Sequence, residues 1–248
     1  MSGDGPAWDR NAGRYDRPSS RTEMRNELLE AALDFAARGW PVLPCGPKKL
    51  PLVAAEKGAD GKKVKGTGGV SAASTDAAQI RHWWRQWPKA MVGVAMGHPS
   101  AGSGHPVLCL DFDPRHDDET GEEWTLERLK GETEAQIGCA LPPTLAVRTP
   151  SGGVHLYLAV TDGGPPIGNK GSLPPHVDVR GRGGYVIAPP SVNADGVAYR
   201  WLRGAADAPI ADAPPELLAV LRAPSRRAER SEASAPPHRQ QQKRPPLT

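Results

Sequence analysis

Three short patterns between residues 111 and 185 hold the residue types from which chemistry on phosphates is built. The first is Asp111-Phe112-Asp113, at the end of the apolar run 107–110. If that run is a strand, its period of two sends both carboxylates to one face. Like charges so placed repel, and a divalent cation such as Mg²⁺ or Mn²⁺, which prefers hard oxygen ligands, relieves the repulsion. An acidic strand end running into the loop at 114–118, with its carboxylates in water, has the same sequence. The second pattern is Thr149-Pro150-Ser151-Gly152-Gly153-Val154-His155. Its glycines can bring backbone N–H groups close to a phosphate, with the Ser151 hydroxyl and the His155 imidazole as further donors. A plain hairpin turn followed by a core histidine fits equally. The third is Val177-Asp178-Val179-Arg180-Gly181-Arg182-Gly183-Gly184-Tyr185, where Asp178 and Arg180 share a strand face. Alone this is a structural ion pair. Beside the first pattern, Asp178 becomes a third carboxylate, and Arg180, Arg182 or Arg148 can hold phosphates through bidentate contacts.

These residues need elements to position them. Ser20 and Glu23 form a capping-box signal, and Met24, Leu28, Ala31, Ala32 and Phe35 recur at helical spacing until Gly39. The run 40–44 reads as an edge strand because its two prolines cannot donate to a central ladder. A Lys- and Gly-rich loop extends to about residue 70. Thr75-Asp76 then caps a helix whose Ile80, Trp83, Trp84 and Trp87 form a packing face closed by Pro88. Strands are expected at 91–96 and 107–110, a charged amphipathic helix around Trp124, Leu126 and Leu129, and strands at 144–149, 154–160, 176–180, 185–188 and 198–202. Pro215 opens a last helix through Leu217, Leu218 and Leu221, capped by Asp212 or Ala213.

The 248 residues, 38% hydrophobic and 24% charged with 28 Gly and 27 Pro, suit one loop-rich α+β catalytic domain at 23–222. Disordered extensions are expected at 1–22 and 223–248, the latter basic and rich in Pro, Arg and Gln. No apolar run is long enough to span a bilayer and the amino end lacks a signal-peptide core, so a cytoplasmic location without membrane contact is expected. Cys45, Cys109 and Cys139 form no pair at metal or disulfide spacing and read as ordinary thiols. The formal charge of +3 is small, but lysines 48, 49, 57, 62, 63 and 65 and the arginine-rich carboxyl tail concentrate it. Such clusters are solvated loops unless the site handles phosphates.

Taken in order, D-x-D, S-G-G-x-H and D-x-R-G-x-G-G-Y, followed by Ala188-Pro189-Pro190-Ser191, resemble the bifunctional primase-polymerase domain of the archaeo-eukaryotic primase superfamily. The resemblance includes A-x-x-F-A-x-x-G-W-P-V-x-P from Ala32 to Pro44, Lys49-Leu50-Pro51, the Ser74-Thr75-Asp76 cap with Trp83-Trp84, and Gly93-Val94-Ala95-Met96-Gly97. It implies an RRM-like antiparallel or mixed sheet with flanking helices and a small N-terminal subdomain. It assigns Asp111, Asp113 and Asp178 to catalysis and to two Mg²⁺ or Mn²⁺ ions, and the incoming triphosphate to Ser151, Gly152, Gly153 and His155. Arg148, Arg180, Arg182, Lys48 and Lys49 are further candidates for phosphate contact. The implied activity is primer extension, and in many members de novo priming, from dNTPs or NTPs on a single-stranded DNA template, for a plasmid, phage or other mobile element. Two departures stand out. The chain has no P-loop or helicase domain, so it is expected to be a piece of a longer protein or a subunit that works with a separate helicase, and no Cys/His cluster supports the zinc insertion of some relatives. Two rival readings use the same residues. A metal-dependent nuclease would direct water at the phosphate, and a non-catalytic replication-initiation module would bind DNA through its basic segments.

Overall fold

The computed structural model describes residues 21–100, 103–116, 121–169, 173–202 and 209–223. Residues 1–20 and 224–248, which hold nearly all of the two expected extensions, and the cap expected at Ser20 lie outside the described residues. Helix α1 (Arg21–Ala37) is followed by strand β1 (Val42–Cys45), a short 3-10 turn (Gly69–Ala72), α2 (Ala77–Gln86), β2 (Met91–Ala95) and β3 (Val107–Phe112). Then come β4 (Arg115–His116), β5 (Glu123–Trp124), α3 (Leu126–Ile137), β6 (Ala146–Arg148), β7 (Val154–Ala159) and β8 (Val177–Arg180). The described chain ends with β9 (Tyr185–Ile187), β10 (Arg200–Leu202), β11 (Ala211–Asp212) and α4 (Pro215–Arg222).

The main sheet runs β10-β6-β7-β3-β8 with antiparallel neighbours, and β11 adds to β7 in parallel. A smaller antiparallel sheet has the order β1-β2-β9, with the proline-bearing β1 at its edge as expected. Alternation along β3 separates two cores. Leu108, Leu110 and Phe112 face Leu158, Val177 and Val179 of the neighbouring strands, Leu129 and Ile137 of α3, and Leu217 and Leu218 of α4. Val107 and Cys109 face the other way, with Val147 and Tyr157, onto Phe35, Trp40, Val42, Ile80, Trp83 and Trp84 of the small sheet and its helices. The tryptophans of α2 are therefore core side chains, and Asp76 caps that helix by accepting from the Ala78 N–H at 2.9 Å.

Three details depart from the sequence reading. The Thr125 hydroxyl, not Trp124, begins α3. Trp124 sits one residue earlier in β5, with the Arg128 guanidinium 3.7 Å from its ring centre. Helix α4 starts at Pro214 without a side-chain cap, because Asp212 is engaged in β11 against β7 and Ala213 N–H donates to Ala159. The small sheet is completed from the second half of the chain: β9 follows the third motif directly and pairs with β2. Among the described residues no helix is long and apolar enough to cross a membrane.

Candidate active site

The chemistry-bearing residues meet on the face of β3 that turns toward the small sheet. Ladder register aligns Asp111 with His155 of β7 on one side and with Asp178 of β8 on the other. Directly opposed residues point to the same face, so imidazole, acid and second acid form one row from β7 across β3 to the edge strand β8. Asp113 follows two residues on. Its N–H donates to the His176 carbonyl at 3.0 Å, which carries the β3–β8 pairing past the end of the strand. Cys109, Tyr157 and Arg180 form the row behind. Cys109 and Tyr157 of that second row are buried, whereas the side chains of Arg180, Asp111 and Asp178 are 36%, 23% and 67% exposed.

The carboxylates are held by cations of the chain itself. One Nη of Arg180 lies 2.7 Å from Asp178 and 3.6 Å from Asp111, bridging the two strands. Arg115 pairs with Asp113. With the acids so engaged, the described residues include no group of three or more His, Cys, Asp or Glu side chains that could hold a metal ion. The donor types nevertheless fit a hard divalent cation: carboxylate oxygens on neighbouring strands, on one face, where the charge bridging two of them belongs to a flexible side chain.

His155 is buried, with its Nε2 3.5 Å from Asp111 Oδ1 and its Nδ1 lacking any partner. Burial holds its pKa below the usual histidine range; Asp111 opposes that shift, and Lys49 and Arg180 reinforce it. The imidazole is therefore neutral, able to donate from one nitrogen only.

The turn before β7 shows why its two glycines differ. Gly152 has a left-handed φ of 84°. At Gly153 a Cβ would run into the Phe112 carbonyl of β3. Both amides are committed within the turn, Gly152 N–H to the Thr149 carbonyl and Gly153 N–H to the Thr149 hydroxyl, each at 3.0 Å. What the turn offers outward is Ser151, whose hydroxyl shares a 3.0 Å hydrogen bond with Thr149. Arg148 is not brought to the row. Its partner across the ladder is Val154, one step out of phase with His155, and it donates to the Gly152 carbonyl at 3.0 Å. Arg182 also stands apart: its backbone lies against Gly97 and its charge is felt at His98. Lys49 is close enough to act on His155, whereas Lys48 is simply exposed beside it.

Two tyrosines belong to the site without having been given a role in the sequence: Tyr199, and Tyr185, which closes the third pattern. The Tyr199 ring centre is 5.9 Å from that of His155; burial, then the charge of Asp111, pushes its hydroxyl up to about 12. Tyr185 donates to the Lys49 carbonyl at 2.9 Å and ties the lysine loop to β9. Neither partnership has a local signature, since the residues joined lie far apart in the chain.

Compared with known families, residues 32–216 match the Prim-Pol model, described as bifunctional DNA primase/polymerase, N-terminal. No curated protein matches the sequence.

Proposed function

Because the chain belongs to the bifunctional DNA primase/polymerase N-terminal family, a nucleotidyltransferase type of enzyme that acts in DNA replication, we propose that it joins dNTPs or NTPs to a 3′-hydroxyl on a single-stranded DNA template. The observation that carries this reading is the row Asp111, His155, Asp178 on one face of the sheet, with Asp113 beside it. Asp111, Asp113 and Asp178 would hold two Mg²⁺ or Mn²⁺ ions. Such ions, when bound, lower the pKa of the attacking hydroxyl and neutralise charge on the leaving pyrophosphate.

The remaining work falls to positioning and charge, so no protein nucleophile is needed. Neutral His155 has one N–H donor to offer a phosphate oxygen, and burial fixes the direction in which it is offered. With cations held by the acids, Arg180 would be released from the two aspartates and would offer its guanidinium fork to the triphosphate. Ser151 and Lys49 add a hydroxyl and a positive charge at the rim. De novo priming, action on a plasmid, phage or other mobile element, and cooperation with a separate helicase extend this reading.

The Ser-Gly-Gly-x-His turn favours triphosphate substrates over the nuclease alternative. Three carboxylates on one face would repel a phosphate backbone unless cations intervene, which disfavours the pure binding module. Incubation with single-stranded DNA, an annealed primer, labelled dNTPs or NTPs and Mn²⁺ or Mg²⁺ separates the three. Extension supports the proposal, shortening of the template supports the nuclease, and an intact template without product leaves the binding module.

A further inference from the structure

Outside the catalytic face, the most charged feature is the segment 46–66. It carries six lysines against two acids, Glu56 and Asp60, an excess larger than the +3 of the whole chain. Its middle is a small hairpin. Gly58 N–H donates to the Lys62 carbonyl and Val64 N–H to the Glu56 carbonyl, each at 2.8 Å, and Lys57 stands directly opposite Lys63 in an antiparallel bridge. Like charges directly opposite destabilise a pairing. Among the described residues nothing offsets them: Asp60 meets Lys62, at 3.6 Å, and the other five lysines have no acidic partner.

The hairpin is anchored rather than loose. Leu52 N–H donates to the Pro44 carbonyl and Gly69 N–H to the Val53 carbonyl, each at 2.9 Å, and Gly68 packs so closely on the backbone of Ala54 and Ala55 that no Cβ would fit. At its start Lys49 adopts a left-handed φ of 63°, uncommon for a residue with a side chain, and is held there by Tyr185. The charge of Lys49 reaches His155. The lysine segment therefore begins within electrostatic reach of the catalytic row. Two of the three large apolar side chains left exposed among the described residues lie in this segment, Leu50 next to Lys49 and Val64 between Lys63 and Lys65.

We propose that this segment, from Lys48-Lys49 to the Lys57–Lys63 hairpin, is the seat of the single-stranded template next to the active site. The lysines take its phosphates, and Leu50 and Val64 lie against its sugars and bases. A single strand fits because it presents both kinds of surface, whereas a duplex shows mostly phosphate. An anionic membrane would be met by an amphipathic helix, which this segment is not. The proposal deepens the polymerase reading by assigning the template a place on the chain.

The test is fluorescence anisotropy of a labelled oligothymidylate with the full chain, across a range of NaCl, for the parent and Lys57→Ala/Lys63→Ala. Both lysines are exposed and repel each other across the bridge, so the double variant should melt at or slightly above the parent. Each phosphate contact to a single strand contributes about 0.7 to the slope of log affinity against log salt, so the double variant should lose about 1.4 and bind roughly tenfold more weakly. A double variant with parental affinity and slope overturns the proposal, as does a parent that ignores the oligonucleotide but binds anionic vesicles through these lysines. If the parent binds the strand through the hairpin yet extends no primer, the polymerase reading falls and the binding surface stands. If it extends primers while the double variant binds normally, the reverse holds.

Discussion

At the scale of single residues, the central object is a guanidinium between two carboxylates. Arg180 bridges Asp178 at 2.7 Å and Asp111 at 3.6 Å, so it neutralises charge at the place where these acids would hold cations. Arg180→Ala should therefore let the protein take up Mn²⁺ several-fold more tightly without nucleotide. It should also bind nucleotide about tenfold or more weakly, since hydrogen bonds to charged groups contribute about 1.5–3 kcal/mol. Mn²⁺ titration followed by electron paramagnetic resonance, with a parallel nucleotide titration, checks both, and an unchanged Mn²⁺ affinity contradicts the exchange. The acids and His155 were legible in the sequence because period-two spacing and a glycine turn mark them. Tyr199 was not, since only the fold brings it to the His155 ring, and Arg148 was misleading because one step of register turns it to the opposite face.

At the scale of elements, the row depends on how closely β7 and the turn before it approach β3. Gly153→Ala would press a methyl group on the Phe112 carbonyl and on the Thr149 hydroxyl, where the contact would be 2.9 Å. Overpacking of this kind costs about 1–3 kcal/mol. Urea denaturation should show that loss, together with weakened nucleotide binding as His155 shifts against Asp111; parental stability would refute the close approach. Helix α4 has a different tether, Arg222 to Asp162 in the loop after β7. The hydrogen bond from Arg222 lowers the Asp162 pKa from its ordinary 3.8 to about 2. The stabilisation is thus fully present above the ordinary value and is lost as pH falls toward about 2. Acid unfolding of Arg222→Ala should lack that component, and a profile parallel to the parent's would exclude it. Strand positions were readable from alternation and turn residues. The start of α4 was not, because tertiary pairing of Asp212 in β11 overrode its value as a cap.

At the scale of the whole molecule, the two sheets share a core. Trp40 lies between Phe35 of α1, at 5.9 Å between ring centres, and Tyr157 of β7, at 5.5 Å, and Tyr157 in turn neighbours Trp201 of β10. This aromatic bridge carries the small sheet on the catalytic face of the large one. Trp40→Ala should cost about 3–5 kcal/mol. Unfolding of the parent followed by tryptophan fluorescence and by far-UV circular dichroism should coincide in one transition. Two separated transitions would mean that the layers are independent. The α+β class was legible in the order of the patterns, but the sheet partners were not: β9 crosses to the small sheet, a pairing between residues distant in sequence that no local signal encodes.

The most direct test of the proposed activity is primer extension on single-stranded DNA with Mn²⁺ or Mg²⁺ and labelled nucleotides, comparing the parent with Asp111→Ala. The site as described predicts extension by the parent and none by Asp111→Ala, with matched melting temperatures. Equal extension by both would contradict the assignment of Asp111 to catalysis, and with it the reading of the row it shares with His155 and Asp178 as the active site.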